Sequence, residues 1–296
     1  MPGMTANPFC AGITAPALTS FAATNIAGHA MVGIPGGLTV IGSSAFENAR
    51  PRWVSLSPHF ISETATSESQ YREVMGRAGN AYASADHPVT AVSWNDAQVY
   101  LKRAGGRLDL LTEVQWENAA RGPADDMRIV MEKETGRFTP TDFVDFAVGR
   151  YENFVFGVLG QIFTDARSEL FQKLISEGMP FFGWRVYGTP SGKLTKDEAW
   201  YDQEGTAPVN WGPKNAYGLH CMTGNVWELM KDAYEKNPAH AVDPFVSKGS
   251  TKILRGGSRR GNVPGCLQAG YRVSGNSGGR GDDVGFRVAA PQDSRK

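Results

Sequence analysis

The sequence predicts an α+β domain, and three observations carry that prediction. Helix start signals cluster in the first half at Ser67, Ser93 and Thr112, and each helical pattern is closed by glycine. Short apolar or alternating runs precede them, at residues 34–42 and 52–56. From Thr206 onward the chain breaks into short strand-like runs separated by turn residues. Helices early and strands late in one chain is the α+β pattern rather than the alternation of a parallel sheet.

In chain order, Pro35-Gly36-Gly37 makes a turn before Leu38-Thr39-Val40-Ile41, a β-branched strand. Arg52-Trp53-Val54-Ser55-Leu56 then alternates at period two. Ser67 with Gln70 forms a capping box for a short helix from Glu68 to Gly76. Ser93 opens a longer helix through Trp94 and Leu101, and Gly105-Gly106 stands where a left-handed cap belongs. Thr112 and Gln115 repeat the box; Trp116, Ala119 and Ala120 face inward and Gly122 stops the element.

Residues 123–202 change character and read as a helical insertion. Phe143, Phe146, Phe154, Phe156, Phe163, Phe171, Phe181 and Phe182 recur without converging polar groups, so they read as core rather than as a ligand pocket. Asp165 can cap a helix whose buried face is Leu170, Phe171, Leu174 and Ile175, ending at Gly178.

Composition excludes several functions. Thirty basic and thirty acidic residues cancel, so no global field gathers nucleic acid, and no nucleic-acid partner is expected. No apolar run reaches the roughly 20 residues that span a bilayer. The first 46 residues hold no Lys, Arg, Asp or Glu, yet Pro8 and Pro16 interrupt any signal-peptide core. Residues 1–33 are therefore read as an uncharged extension lying on the domain or on a partner; the sequence does not identify the compartment, and a cytoplasmic protein or part of a phage particle both fit. Cys10, Cys221 and Cys266 are too few and too separated for a disulfide scaffold, though one bridge remains open. His29, His59, His87, His220 and His240 show no ligand spacing, which leaves an iron enzyme unsupported.

The chain is organised around residues 223–287. Thr223-Gly224-Asn225-Val226-Trp227-Glu228 opens the stretch, Arg255-Gly256-Gly257-Ser258 follows, and Val284-Gly285-Phe286-Arg287 closes it. Together with His87-Pro88-Val89, Val92-Ser93-Trp94-Asn95-Asp96-Ala97, Gly105-Gly106-Arg107-Leu108 and Trp116-Glu117-Asn118-Ala119-Ala120-Arg121-Gly122, these motifs resemble the formylglycine-generating enzyme and sulfatase-modifying-factor superfamily. The resemblance implies a C-type-lectin-like fold, rich in irregular structure, over residues 34–290.

Function is read site by site, because a shared fold does not carry it. The resemblance implies a copper-binding cysteine pair at positions 261 and 266, where this chain has Gly261 and Cys266. One thiolate is a poor site for soft copper, so copper is not expected. If the protein is an enzyme, an oxidase or a modifying enzyme acting on a peptide, Cys266 is its reactive residue; taken alone, such a thiol reads as structural. Cys221 reads as buried and inert. The resemblance also implies a structural calcium site at Asn225 and Glu228 with the carbonyls of Gly224 and Val226. The residues themselves equally suit a capped turn beside Trp227.

Arg255 and Arg287 are read as braces for loop carbonyls or carboxylates. Asp282 and Asp283 are expected to be solvated or paired with Arg280.

Between these ends, residues 259–284 contain no Lys, Glu, Met or Trp and a single Gln, where average usage gives on the order of five such residues. These are the types unreachable when a pyrimidine-ending Asn codon is mutated only at its adenines. The run looks like the variable region of a diversity-generating-retroelement protein; loops rich in Gly, Ser and Asp also exclude long side chains. The function expected is non-catalytic binding of a protein or other surface ligand. Its contact surface would be Arg259, Arg260, Asn262, Val263, Leu267, Gln268, Tyr271, Val273, Ser274, Asn276 and Arg280.

Overall fold

The computed structural model describes residues 24–43, 45–50, 52–80, 83–122, 187–236, 238 and 241–292. Strand β1 (Thr24–Ile26) turns at Ala27 and Gly28, both with positive φ, into the antiparallel β2 (His29–Ile34). Ile26 faces His29, so this is a two-residue hairpin of the kind that requires left-handed backbone. The sheet therefore begins within the stretch read from sequence as an extension ending at residue 33.

Strands β3 (Gly37–Ile41) and β4 (Arg52–Leu56) follow where the patterning predicts them, and β5 (His59–Ser62) is buried throughout. The three helices are α1 (Glu68–Met75), α2 (Trp94–Ala104) and α3 (Glu113–Arg121). Each begins with a complete capping box: Ser67, Ser93 and Thr112 accept the N–H three residues on, and Gln70, Asp96 and Gln115 accept the cap residue's own N–H. A short β6 (Asp109–Leu110) separates the last two helices.

The chain is docked again by Gly188, whose N–H donates to Thr223 Oγ1 at 2.7 Å. Residues 187–202 hold turns, bends and a bridge from Trp200 to Gly224, with no helix, so the helical insertion does not extend to residue 202. The phenylalanines assigned to it and the helix capped by Asp165 lie outside the described residues. The second half supplies β7 (Trp227–Ala233), β8 (Ala241–Val242), β9 (Thr251–Arg255), β10 (Val273–Asn276), β11 (Val284–Gly285) and β12 (Val288–Pro291).

Three sheets result. One has the order β1-β2-β5-β12-β6, which brings the first and last strands of the domain together. The second is β10-β9-β7-β11, and the third β3-β4-β8. The second sheet is covered on both faces, as its alternation shows. Leu229 and Leu254 enter one cluster with Tyr71, Tyr100 and Phe286, while their neighbours Met230 and Ile253 enter another with Trp116, Ala119 and Ala120. Helix α3 thus packs beneath the sheet that carries residues 259–284 at its margin.

Among the described residues, no helix is long and apolar enough to cross a membrane.

Candidate functional site: the framed C-terminal run

Two buried glutamates on α3 organise the frame. Glu113 and Glu117 are one turn apart and 2% and 0% exposed, positions from which carboxylates are normally excluded unless paired. Arg52 and Arg272 reach Glu113 at 3.1 and 2.8 Å. Arg121 reaches Glu117 Oε1 at 2.7 Å, the Gly42 N–H donates to the same oxygen at 2.6 Å, and Arg255 binds Oε2. Burial alone would raise the Glu117 carboxyl, but Arg121, Arg255 and that N–H hold it at about 2.

These guanidiniums also hold the run. Arg255 donates to the carbonyls of Ala269 and Tyr271 at 3.0 and 2.8 Å, and Arg272 to those of Asn48 and Glu235 at 2.6 and 2.9 Å. At the far end Arg287, fully buried, binds Glu228 at 3.0 Å and donates to the carbonyls of Ser62, Glu63 and His220 at 2.7 to 2.9 Å. The bracing roles read for Arg255 and Arg287 are those seen.

The turn before β7 is committed to the same frame. Gly224 has φ 79°, and a Cβ there would lie 2.2 Å from the Trp200 carbonyl oxygen, so no other residue fits without moving backbone. Asn225, at φ 61°, uses its amide in both directions on Ala207, at 3.0 and 3.1 Å, and its carbonyl accepts the Arg259 N–H at 2.8 Å. Glu228 takes the Trp116 indole N–H at 2.7 Å besides Arg287, and Val226 is a buried core residue.

This donor set does not suit calcium. A hard cation needs six to eight oxygens, whereas here the amide is spent, the carboxylate is neutralised and the nearest charge is a guanidinium. Among the described residues no group of three or more His, Cys, Asp or Glu could hold a metal ion.

The run itself is pinned at several points. Ser258 Oγ donates to Asp283 at 2.7 Å. Asp282 receives Arg259 at 2.9 Å as well as Arg260, while Arg280 turns away to Asp96 at 2.8 Å. Of the two expectations for these aspartates, solvation or pairing with Arg280, the first fits Asp282, which is half exposed; the partners are Arg259 and Arg260 for Asp282 and Ser258 for Asp283, rather than Arg280. Residues 264–267 form a single 3-10 turn that drives Leu267, fully buried, against Gly257 and Gly261.

Of the residues read as contact surface, Arg260, Asn262, Val263, Ser274, Asn276 and Arg280 are exposed, and Gln268, Tyr271 and Val273 are half-buried. Leu267 and Arg259 are not surface: the first plugs the loop, and the second spends its guanidinium on Asp282 and the carbonyls of Gln203 and Glu204. Tyr271 meets Phe46 edge-on at 5.2 Å and Trp227 at 6.2 Å; burial, then Cys266, raises its hydroxyl above the usual phenol range. Cys266 is partly exposed. Cys221 is also only partly enclosed, but burial around its sulfur pushes the thiol up to about 12, so it is protonated and unreactive at neutral pH.

Sequence reasoning passed over Arg272, Glu113 and Glu117. The available signal was the position of both glutamates on the helix face that also carries Val114 and Trp116, where an acid implies a buried cation.

The arrangement defines a class: a mixed domain in which a buried ionic lattice fixes a long irregular run while selected side chains project. The Sulfatase-modifying factor enzyme 1-like domain model matches residues 17–153 and 186–291, so the chain belongs to that family. It is 32% identical over 216 residues to the formylglycine-generating enzyme of Thermomonospora curvata, covering 69% of this chain and 56% of the relative. It is also 28% identical over 225 residues to the inactive C-alpha-formylglycine-generating enzyme 2 of Bos taurus, covering 74% of this chain and again 56% of the relative. The chain thus spans little more than half the length of either protein. Among solved structures it is similar to Treponema denticola variable protein 1, with a TM-score of 0.59 and 22% identity over 89% of this chain and 95% of that one. At that identity the likeness establishes the fold, which is the C-type-lectin-like one.

Proposed function

We propose that the protein binds a protein or other surface ligand without catalysis, through the side chains that project from residues 259–284. One observation carries the reading. Gly261, at the position where the family's oxidising members carry a cysteine, is packed so that a Cβ would lie 2.9 Å from the tip of Leu267 and 3.1 Å from the Ser258 carbonyl. The loop closes over an apolar plug there, whereas Arg260, Asn262, Val263, Ser274, Asn276 and Arg280 around it are exposed. Relatives named as the formylglycine-generating enzyme and as an inactive one are both similar to the chain, so family membership alone does not decide for catalysis.

The test is tolerance with gain of binding. Arg260, Asn262, Val263, Ser274, Asn276 and Arg280 are randomised together, and the library is selected against an unrelated folded protein. The expected outcome is folded variants with new affinity. Collapse of the fold in most variants would sink the proposal.

The competing reading, peptide oxidation at a partly exposed Cys266, has its own assay. Stoichiometric copper uptake with thiol-peptide turnover, both lost in Cys266→Ala, would replace binding with catalysis.

A further inference from the structure

We propose that Arg77 and Arg280 form a docking point for an acidic side chain of a protein ligand, an inference that rests on the ligand-binding reading and extends the surface beyond residues 259–284. Three elements meet there. Arg77 follows α1, Asp96 lies in the first turn of α2, and Arg280 is carried on the loop that Asn95 and Ala91 hold through their N–H bonds to the carbonyls of Ser277 and Gly281, at 3.3 and 2.8 Å.

Asp96 is saturated. One carboxylate oxygen takes the Ser93 N–H at 2.9 Å, the Ser93 hydroxyl at 2.6 Å, and Arg280 Nε and Nη2 at 3.0 and 2.8 Å; the other takes Arg77 Nη2 at 2.8 Å. Two guanidiniums therefore share one anion that is only 12% exposed, while they are themselves 51% and 55% exposed. Each guanidinium carries five N–H donors, of which Asp96 engages one from Arg77 and two from Arg280. The excess positive charge and the remaining donors face outward, which is the complement of a carboxylate.

A second observation is independent of the arginines. Tyr71, fully buried, has a hydroxyl with no hydrogen-bond partner among the described residues, although buried polar groups are generally paired. The Arg77 guanidinium stands over its ring, 5.8 Å from the centroid. Burial, above all, raises the hydroxyl's pKa, and Arg77, Asp96, Arg280 and Glu68 are the charges that act on it. In the proposed complex the carboxylate draws Arg77 off the Tyr71 ring and accepts a hydrogen bond from the Tyr71 hydroxyl.

The experiment titrates the full chain at low salt with acetyl-Gly-Glu-Glu-Gly-amide, with its Gln-Gln counterpart, and with inorganic phosphate. Saturable binding of the Glu peptide is expected, about tenfold tighter than the Gln peptide, as one charge-assisted contact gives. Arg77→Ala should lose that tenfold. Tyr71→Phe removes a hydroxyl with no partner among the described residues, so it should keep the thermal midpoint and weaken the Glu peptide severalfold. Equal binding by Arg77→Ala, no effect of Tyr71→Phe, or phosphate binding that matches the peptide would each overturn the proposal. Success of the randomised library together with an unchanged Arg77→Ala would remove this docking point and leave the proposed function standing.

Discussion

Leu267 and Val263 sit four residues apart in one loop and have opposite roles. Leu267 is fully buried and fills the space that Gly257 and Gly261 leave, whereas Val263 is 57% exposed. Leu267→Ala should therefore destabilise the protein by about 2–5 kcal/mol through the cavity it leaves, and Val263→Ala should stay within about 0.5 kcal/mol; urea unfolding of the two variants compares them directly. Equal effects would mean that the loop is not packed as described. Glu228→Gln keeps the shape but leaves Arg287 facing a neutral amide in the interior, so a loss on the order of 3 kcal/mol is expected. In the sequence, an amide and an acid three residues apart read equally well as a capped turn or as calcium ligands. The partner that Glu228 does have is Arg287, 59 positions away, which no local spacing reveals.

The helices were legible because their signals are local. A Ser or Thr, its partner three residues on and a terminal glycine lie within one turn of each helix end, so the three capping boxes could be read before any packing was known. The first hairpin was not legible: its turn uses Ala27 at φ 50° rather than one of the usual turn pairs, and a chargeless run gave no alternation to read. Helix α2 adds a consequence of its own. Asp96 serves both as the helix cap partner and as the anchor for Arg280, so Ser93→Ala should cost about 1 kcal/mol and also loosen the loop at residues 277–281. Faster amide exchange at Ala91 and Asn95 is the expected sign, since both donate to that loop. Unchanged exchange at these two amides would separate the cap from the loop.

At the scale of the whole molecule, buried titratable groups oppose one another. Asp232 is raised to about 6, first by burial and then by Glu113, so it favours the folded state below its ordinary value of 3.8, and that stability is lost as pH rises through 6. His29, lowered to about 4 by burial, does the reverse: its contribution is present above 6.5 and is lost as pH falls through 4. Burial lowers His59 and His220 as well, in the same direction. Between roughly pH 4 and 6.5 the histidines therefore make stability rise with pH while Asp232 makes it fall. Asp232→Asn should steepen the rise, measured as urea midpoints across that range; parallel profiles would refute the opposition. Below this range Glu117, held at about 2 against an ordinary 4.5, gives stability that is lost as pH falls toward 2.

By itself the sequence determined the three described helices and the family's ordered motifs that flank the C-terminal run, because each is written in residues near one another. Only the tertiary structure decided which residues of that run are surface. Leu267 and Arg259 look no different in sequence from Val263 and Arg260. Their burial depends on Gly257, Asp282 and the carbonyls of Gln203 and Glu204. Outside β10 the run has no period from which an inward face can be read, so exposure there is fixed by long-range contacts.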